Sequence, residues 1–146
     1  MLPLHRLVHL IETQSEPLTK HLVEQVKGSP HTPDYSKVPA DELYASVYEI
    51  YRHLSDWLLV KDEEQVQRRS RRVGAERAAQ NVPFSQVAWV IVLMKETLLE
   101  FLVQAKKTGP RDPDGQVKLL QLLDRFFNRA LCFAAGGHEQ YMDSGK

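Results

Sequence analysis

The sequence predicts an all-α fold, a single-domain helical bundle of five or six helices. Three observations predict it. Apolar residues recur three and four positions apart through most of the 146-residue chain, the spacing that lines one face of an α-helix. No stretch alternates apolar and polar residues as a half-buried strand must. The segments richest in proline and glycine, GSPHTPDYSKVP (28–39) and TGPRDPDG (108–115), separate these helical runs as loops. A chain of this length buries roughly 70% of the surface it exposes when unfolded, so neither a metal nor a disulfide is needed to hold it.

The first run carries Leu4, Leu7, Val8 and Ile11, then Leu18, Leu22, Val23 and Val26. Between them Pro17 removes a backbone donor and is expected to kink the helix or to begin its second half, with Ser15 as cap. After the first loop Asp41 is expected to cap a helix whose stripe is Leu43, Val47, Ile50, Leu54 and Trp57 or Leu58, flanked by Tyr44, Tyr48 and Tyr51. Asp62, with Gln65 three positions on, forms a capping pattern for a third helix over 63–80, which Pro83 ends. Ser85 is the expected cap of the next helix, running to Lys107, with Phe84 stapled against Trp89. Its run VAWVIVLM (87–94) is apolar on nearly every side, which suits the middle of a bundle. Asp112-Pro113 starts the last helix, where Val117, Leu120, Leu123, Phe127, Leu131 and Ala134 recur. Gly136-Gly137 reads as a break before a short tail. The domain is read as residues 1–146, with 1–33 an N-terminal helical segment and loop.

Composition excludes several activities. Nineteen Lys and Arg balance nineteen Asp and Glu, which argues against broad binding to nucleic acid or anionic membranes. The longest apolar run has eight residues, whereas a membrane-spanning helix needs about 20. The amino terminus lacks the apolar core and cleavage site of a secretory signal, and the one cysteine cannot form an internal disulfide. A cytoplasmic location is expected.

The candidate sites each compete with a structural reading. Arg68, Arg69, Arg71, Arg72 and Arg77 would face phosphates if aligned, but consecutive helical residues diverge by about 100° and Glu63, Glu64 and Glu76 interleave with them. A solvated helix with ion pairs is expected, and no nucleic acid. Gly74 and Ala78 clear a small face for close helix packing. His5 and His9, one turn apart with Glu12 beyond, have metal-ligand spacing but no supporting pattern, so no metal is expected. His53 or His21 would be the residue to ligate haem, but a lone histidine is more often structural, and no cofactor is expected. Cys132 lies in RFFNRALCFAA and is expected to be a buried, protonated small hydrophobe. Glu96 and Glu100 are expected to be exposed polar surface or to pair with Lys95 and Lys107. No glycine-rich phosphate loop or nucleophile elbow occurs, so the chain is not read as an enzyme. Tyr48, Trp57, Trp89 and Phe101 are core candidates that would, in the alternative, line a cavity between helices for a small apolar ligand.

ELYASVYEIYRHLSDWL (42–58), RRVGAERAAQNVPFSQVAWVIVLMKETLLEFL (71–102) and LLDRFFNRALCFAAGGHEQY (122–141) together resemble the RsbRD N-terminal domain family of bacterial sensory and regulatory domains. The pattern R-x-x-G-x-x-R-A, at Arg71, Gly74, Arg77 and Ala78, followed by Val82-Pro83-Phe84, carries most of the likeness, which covers 34–141. The resemblance implies a globin-like helical input domain that works without haem and associates with itself or with a signalling protein. The expected function is non-enzymatic regulation through protein–protein contact, in stress or two-component signalling, with a homodimer as the default assembly. No output module is expected after Gly137. The alternatives are a small-molecule sensor or carrier with an inter-helix cavity and, further off, a haem protein.

Overall fold

The computed structural model describes residues 3–108 and 113–144, and their side chains over 4–105 and 114–144. Six α-helices account for nearly all of them: α1 (Pro3–Thr13), α2 (Ser15–Gly28), α3 (Ala40–Arg52), α4 (Glu63–Ala79), α5 (Phe84–Thr108) and α6 (Pro113–Ser144). A 3-10 turn, Pro33–Lys37, lies between α2 and α3, and a π-helical turn, Asp56–Val60, between α3 and α4. No strand occurs among the described residues.

The helix starts show where local chemistry acted. α1 and α2 part at Gln14, three residues before the proline, and Pro17 falls in the first turn of α2, where its missing N–H has no intrahelical partner to lose. Ser15 is therefore inside the helix and buried rather than capping it. Asp41 sits one residue inside α3, behind Pro39 at the cap position. Asp62 is the cap of α4 with a complete capping box: its carboxylate accepts from the Gln65 amide at 2.9 Å, and the Gln65 side chain accepts from the Asp62 amide at 3.0 Å. α4 stops at a Schellman turn. Val82 N–H donates to the Arg77 carbonyl and Asn81 N–H to that of Ala78, with Asn81 at φ 61°. Asparagine tolerates this left-handed conformation better than most residues. Pro83, rather than Ser85, precedes the first residue of α5. The expected start of α6 at Asp112 lies outside the described residues.

The core unites all six helices through Val8, Leu22, Leu43, Val66, Leu98 and Leu123, each at most 6% exposed. The stripe of α3 is as expected, with Leu43, Val47 and Ile50 buried, and Leu54 is buried just past its end. That of α6 is phased differently: Leu119, Leu123, Phe126, Phe127, Ala130 and Ala134 point inward, whereas Val117 and Leu120 are exposed. Trp57 is buried too, but it belongs to the π turn, where Lys61 N–H reaches back to the Asp56 carbonyl at 2.7 Å.

The apolar helix is not the middle of the bundle. α6 packs on α1, α4, α5 and the π turn, and its contact with polar α4 is the most extensive in the molecule. Small residues explain this. A Cβ on Gly74 would lie 2.0 Å from the Ala134 carbonyl oxygen, and one on Gly137 would lie 2.1 Å from that of Arg71. The two backbones touch only because these positions have no side chain. Gly136 and Gly137 thus do not break α6, which continues to Ser144 and carries His138 into the core.

Candidate functional site

Two buried guanidiniums define the interior site. Arg69, Val73 and Arg77 recur at four-residue spacing on α4, so they share a face, with Ser70 beside them. Facing residues of α3, α5 and α6 leave a cavity of about 40 Å³, walled by Val47, Ile50, Val90, Met94 and Phe127 and reached by Tyr35. The ~10–15 Å³ that one water requires makes this room for about three.

Tyr35 comes from the stretch read as loop. Thr32 Oγ donates to the Val26 carbonyl at 2.7 Å, and the Lys27 ammonium donates to the carbonyls of Tyr35 and Val38. Asp34 exchanges two hydrogen bonds with the Gln86 side chain and pairs with Lys37 at 2.9 Å, so its carboxyl is held below the usual value, chiefly by Lys37. So fastened, the 3-10 turn places Tyr35 in the core under the Arg77 guanidinium, 6.0 Å from its ring centre. Burial pushes the Tyr35 hydroxyl up to about 12, against the opposing pull of Arg77.

Arg77 is 2% exposed. Its Nη1 donates to Glu42 at 3.1 Å and to Gln80 at 3.0 Å, and Gln80 donates to the same Glu42 oxygen at 2.6 Å. Arg69 donates from Nη2 to the Ser46 carbonyl at 2.7 Å, and its guanidinium lies 5.6 Å from the centre of the Trp57 ring. Its Nε is 3.6 Å from Glu49, too far for a hydrogen bond. Burial lowers its pKa, and the neighbouring charges of Arg72 and Arg77 act in the same direction while Glu49 opposes. The Nε of each arginine is buried without a hydrogen-bond partner. Two of the five arginines are therefore ion-paired as expected of this helix but buried rather than solvated. Arg68 is both solvated and paired, with Glu64 at 2.9 Å, and Arg71 donates to Gln140.

A second, wider groove of about 230 Å³ lies between the π turn and α6, walled by Trp57, Leu58, Val66, Leu122 and Phe126. Lys61 also approaches the Trp57 ring, 5.0 Å from its centre, and the indole N–H is buried without a partner. The third feature is a surface. Along α5, Trp89, Val92, Glu96, Glu100 and Val103 are exposed at helical spacing, with Trp89 at 45% and Val103 at 54%.

The four residues read as possible pocket walls are not brought together. Trp57 lines the wider groove, and Trp89 is stacked on His31 at 4.0 Å on the outer face of α5. Tyr48 stacks on Tyr44 at 5.7 Å, and Phe101 packs at the edge of the core. None of them lines the arginine cavity. The staple of Phe84 on Trp89 does not form; Phe84 meets His138 edge-on at 5.6 Å. Cys132 is exposed rather than buried, because the inward residues of its turn are Ala130 and Ala134. His5, His9, His21 and His53 are all at the surface. Glu12 is occupied by Ser55, whose amide and hydroxyl both donate to it at 2.8 Å. Lys95 pairs with Asp124 instead of Glu96 or Glu100.

Sequence reasoning missed Arg69, Arg77, Tyr35 and His138, whose Nε2 lies 2.8 Å from the Val82 carbonyl. The available signal was the phase of α4: its larger apolar residues, Val66 and Val73, fall on the face that Arg69, Ser70 and Arg77 share. The R-x-x-G-x-x-R-A pattern now has a structural account, with Gly74 and Ala78 toward α6, Arg77 in the core and Arg71 bridging to Gln140. The family model for the RsbT co-antagonist protein rsbRD N-terminal domain matches residues 6–144. The chain belongs to this family. The match takes in α1 and α2, ahead of the 34–141 stretch on which the resemblance was read. No curated protein and no solved structure matches the chain. No described helix is long and apolar enough to cross a membrane.

Proposed function

We propose that this RsbRD N-terminal-type domain is a non-enzymatic regulatory module of stress signalling that acts by protein–protein association, first with a second copy of itself. The exposed apolar residues of α5 carry the reading. Trp89, Val92 and Val103 face solvent on a helix whose composition calls for cover. An exposed tryptophan with a valine one turn along the helix, as Trp89 has in Val92, suits the anchor of an interface. The zero net charge leaves no overall repulsion between copies. Family membership supports a regulatory role, since the family is named for co-antagonists of a signalling protein. The chemistry of the cavity supports a role without catalysis: its polar groups are arginines, serines and a tyrosine held protonated, and no carboxylate or histidine lines it.

Sedimentation equilibrium tests the reading. The wild-type chain should be a dimer at micromolar concentration, and Val92→Glu should be a monomer with unchanged helical circular dichroism. A wild-type monomer up to several hundred micromolar would overturn it. The dimer interface should bury more than about 1,000 Å².

A further inference from the structure

We propose that the cavity beneath α4 binds a small carboxylate, an anion of three or four heavy atoms such as acetate, through Arg69 and Arg77. Ion pairs with Glu42 and Glu49 offset the two guanidiniums only in part, because the partners differ in exposure. Arg77 is 2% exposed and the Arg69 side chain 12%, yet their partners Glu42 and Glu49 are 46% and 45% exposed. The carboxylates give up much of their charge to solvent, while the guanidiniums remain in apolar surroundings where a charge is costly. Arg77 and Arg72 add further positive potential at Arg69.

The hydrogen bonds of the two arginines are incomplete as well. Each guanidinium has a buried Nε–H with no acceptor, and both residues line the one cavity. Water can accept these hydrogen bonds but adds no negative charge to that of the two half-exposed glutamates. A carboxylate supplies two acceptors and a negative charge, the combination that arginine binds most strongly. Size and wall chemistry narrow the choice. About 40 Å³ admits acetate or formate and excludes a longer acid or a haem. The aliphatic walls at Val47, Ile50 and Val90 suit a methyl group and not the four oxygens of phosphate.

The inference does not rest on self-association, so the Val92→Glu variant should bind acetate as the wild type does. The test uses the full chain and acetate, with chloride and phosphate at matched ionic strength. The thermal midpoint should rise with the logarithm of acetate concentration, as binding to the folded state alone requires, and should rise less in chloride and in phosphate, where any stabilisation comes from salt exclusion and not from binding. Saturation-transfer NMR should show magnetisation passing from protein methyls to the acetate methyl, with formate abolishing it. Arg69→Gln should weaken binding by about tenfold or more, since it removes a charged donor. If that variant does not fold, Ser70→Val, which places an extra methyl in the cavity, should abolish the transfer instead. An equal rise in every salt, no saturation transfer, or unaltered affinity in a folded variant would each overturn the proposal.

Discussion

Replacing Gly74 by alanine should destabilise this protein, although the same change in an exposed helix interior stabilises by about 1 kcal/mol. The added Cβ would lie 2.0 Å from the carbonyl oxygen of Ala134. Ordinary contact begins at 3.4 Å, so α4 and α6 must part by about 1.4 Å along that line. The obstacle is backbone, so no rotamer change relieves it. A gap of 0.5–1 Å forfeits roughly a quarter to a half of the dispersion well between facing atoms. Overpacking typically costs 1–3 kcal/mol. Here the most extensive helix pair must open, so we expect a gross cost of about 3–4 kcal/mol. After the gain in helix propensity, a net loss of about 2–3 kcal/mol remains.

Gly137→Ala meets the Arg71 carbonyl at 2.1 Å and should cost a similar amount. The two changes require the same separation, so the double variant should cost clearly less than the sum of the singles, a coupling of about 1 kcal/mol or more. Urea denaturation of the four proteins measures this, with the slope of each transition checked for constancy. Gly28→Ala is the control, because nothing lies within 4 Å of its Cβ. If Gly74→Ala were neutral or stabilising, or if the two glycine changes added independently, the close-contact account of α4 and α6 would be wrong.

The Arg77–Glu42 pair should respond unequally to loss of either member. Glu42→Ala leaves a buried guanidinium with no carboxylate partner and should cost about 2 kcal/mol, whereas Arg77→Met leaves a half-exposed carboxylate and should cost about 1 kcal/mol or less. Denaturant melts that showed Arg77→Met to be the more damaging would contradict this. The raised Tyr35 pKa makes a pH-dependent contribution of roughly 3 kcal/mol. Because the folded value exceeds the unfolded 10.0, this stability is complete below pH 10 and is lost as pH rises through about 12. Phenolate absorbance should therefore show a tyrosine that ionises near pH 12 in the wild type and is absent in Tyr35→Phe. A normal titration of every tyrosine would remove Tyr35 from the core.

The sequence by itself determined the helices. Period and capping chemistry are local, so the α3 stripe, the Asp62–Gln65 capping box and the limits of α4 were legible residue by residue. The small face of Gly74 and Ala78 was legible too, because a missing side chain has one obvious packing use. Tertiary structure decided which faces met. Gly136-Gly137 reads locally as a helix breaker, but across the interface it is the flat surface on which the Arg71 backbone rests. VAWVIVLM reads as a core helix, yet close α4–α6 packing gives α6 the more central position and leaves Trp89 and Val92 outside. The arginines of α4 read as solvated because charge alone suggests water. Their burial depends on Glu42, Ser46 and Tyr35, which lie 23 to 42 positions from them in sequence and come within reach only when the helices assemble.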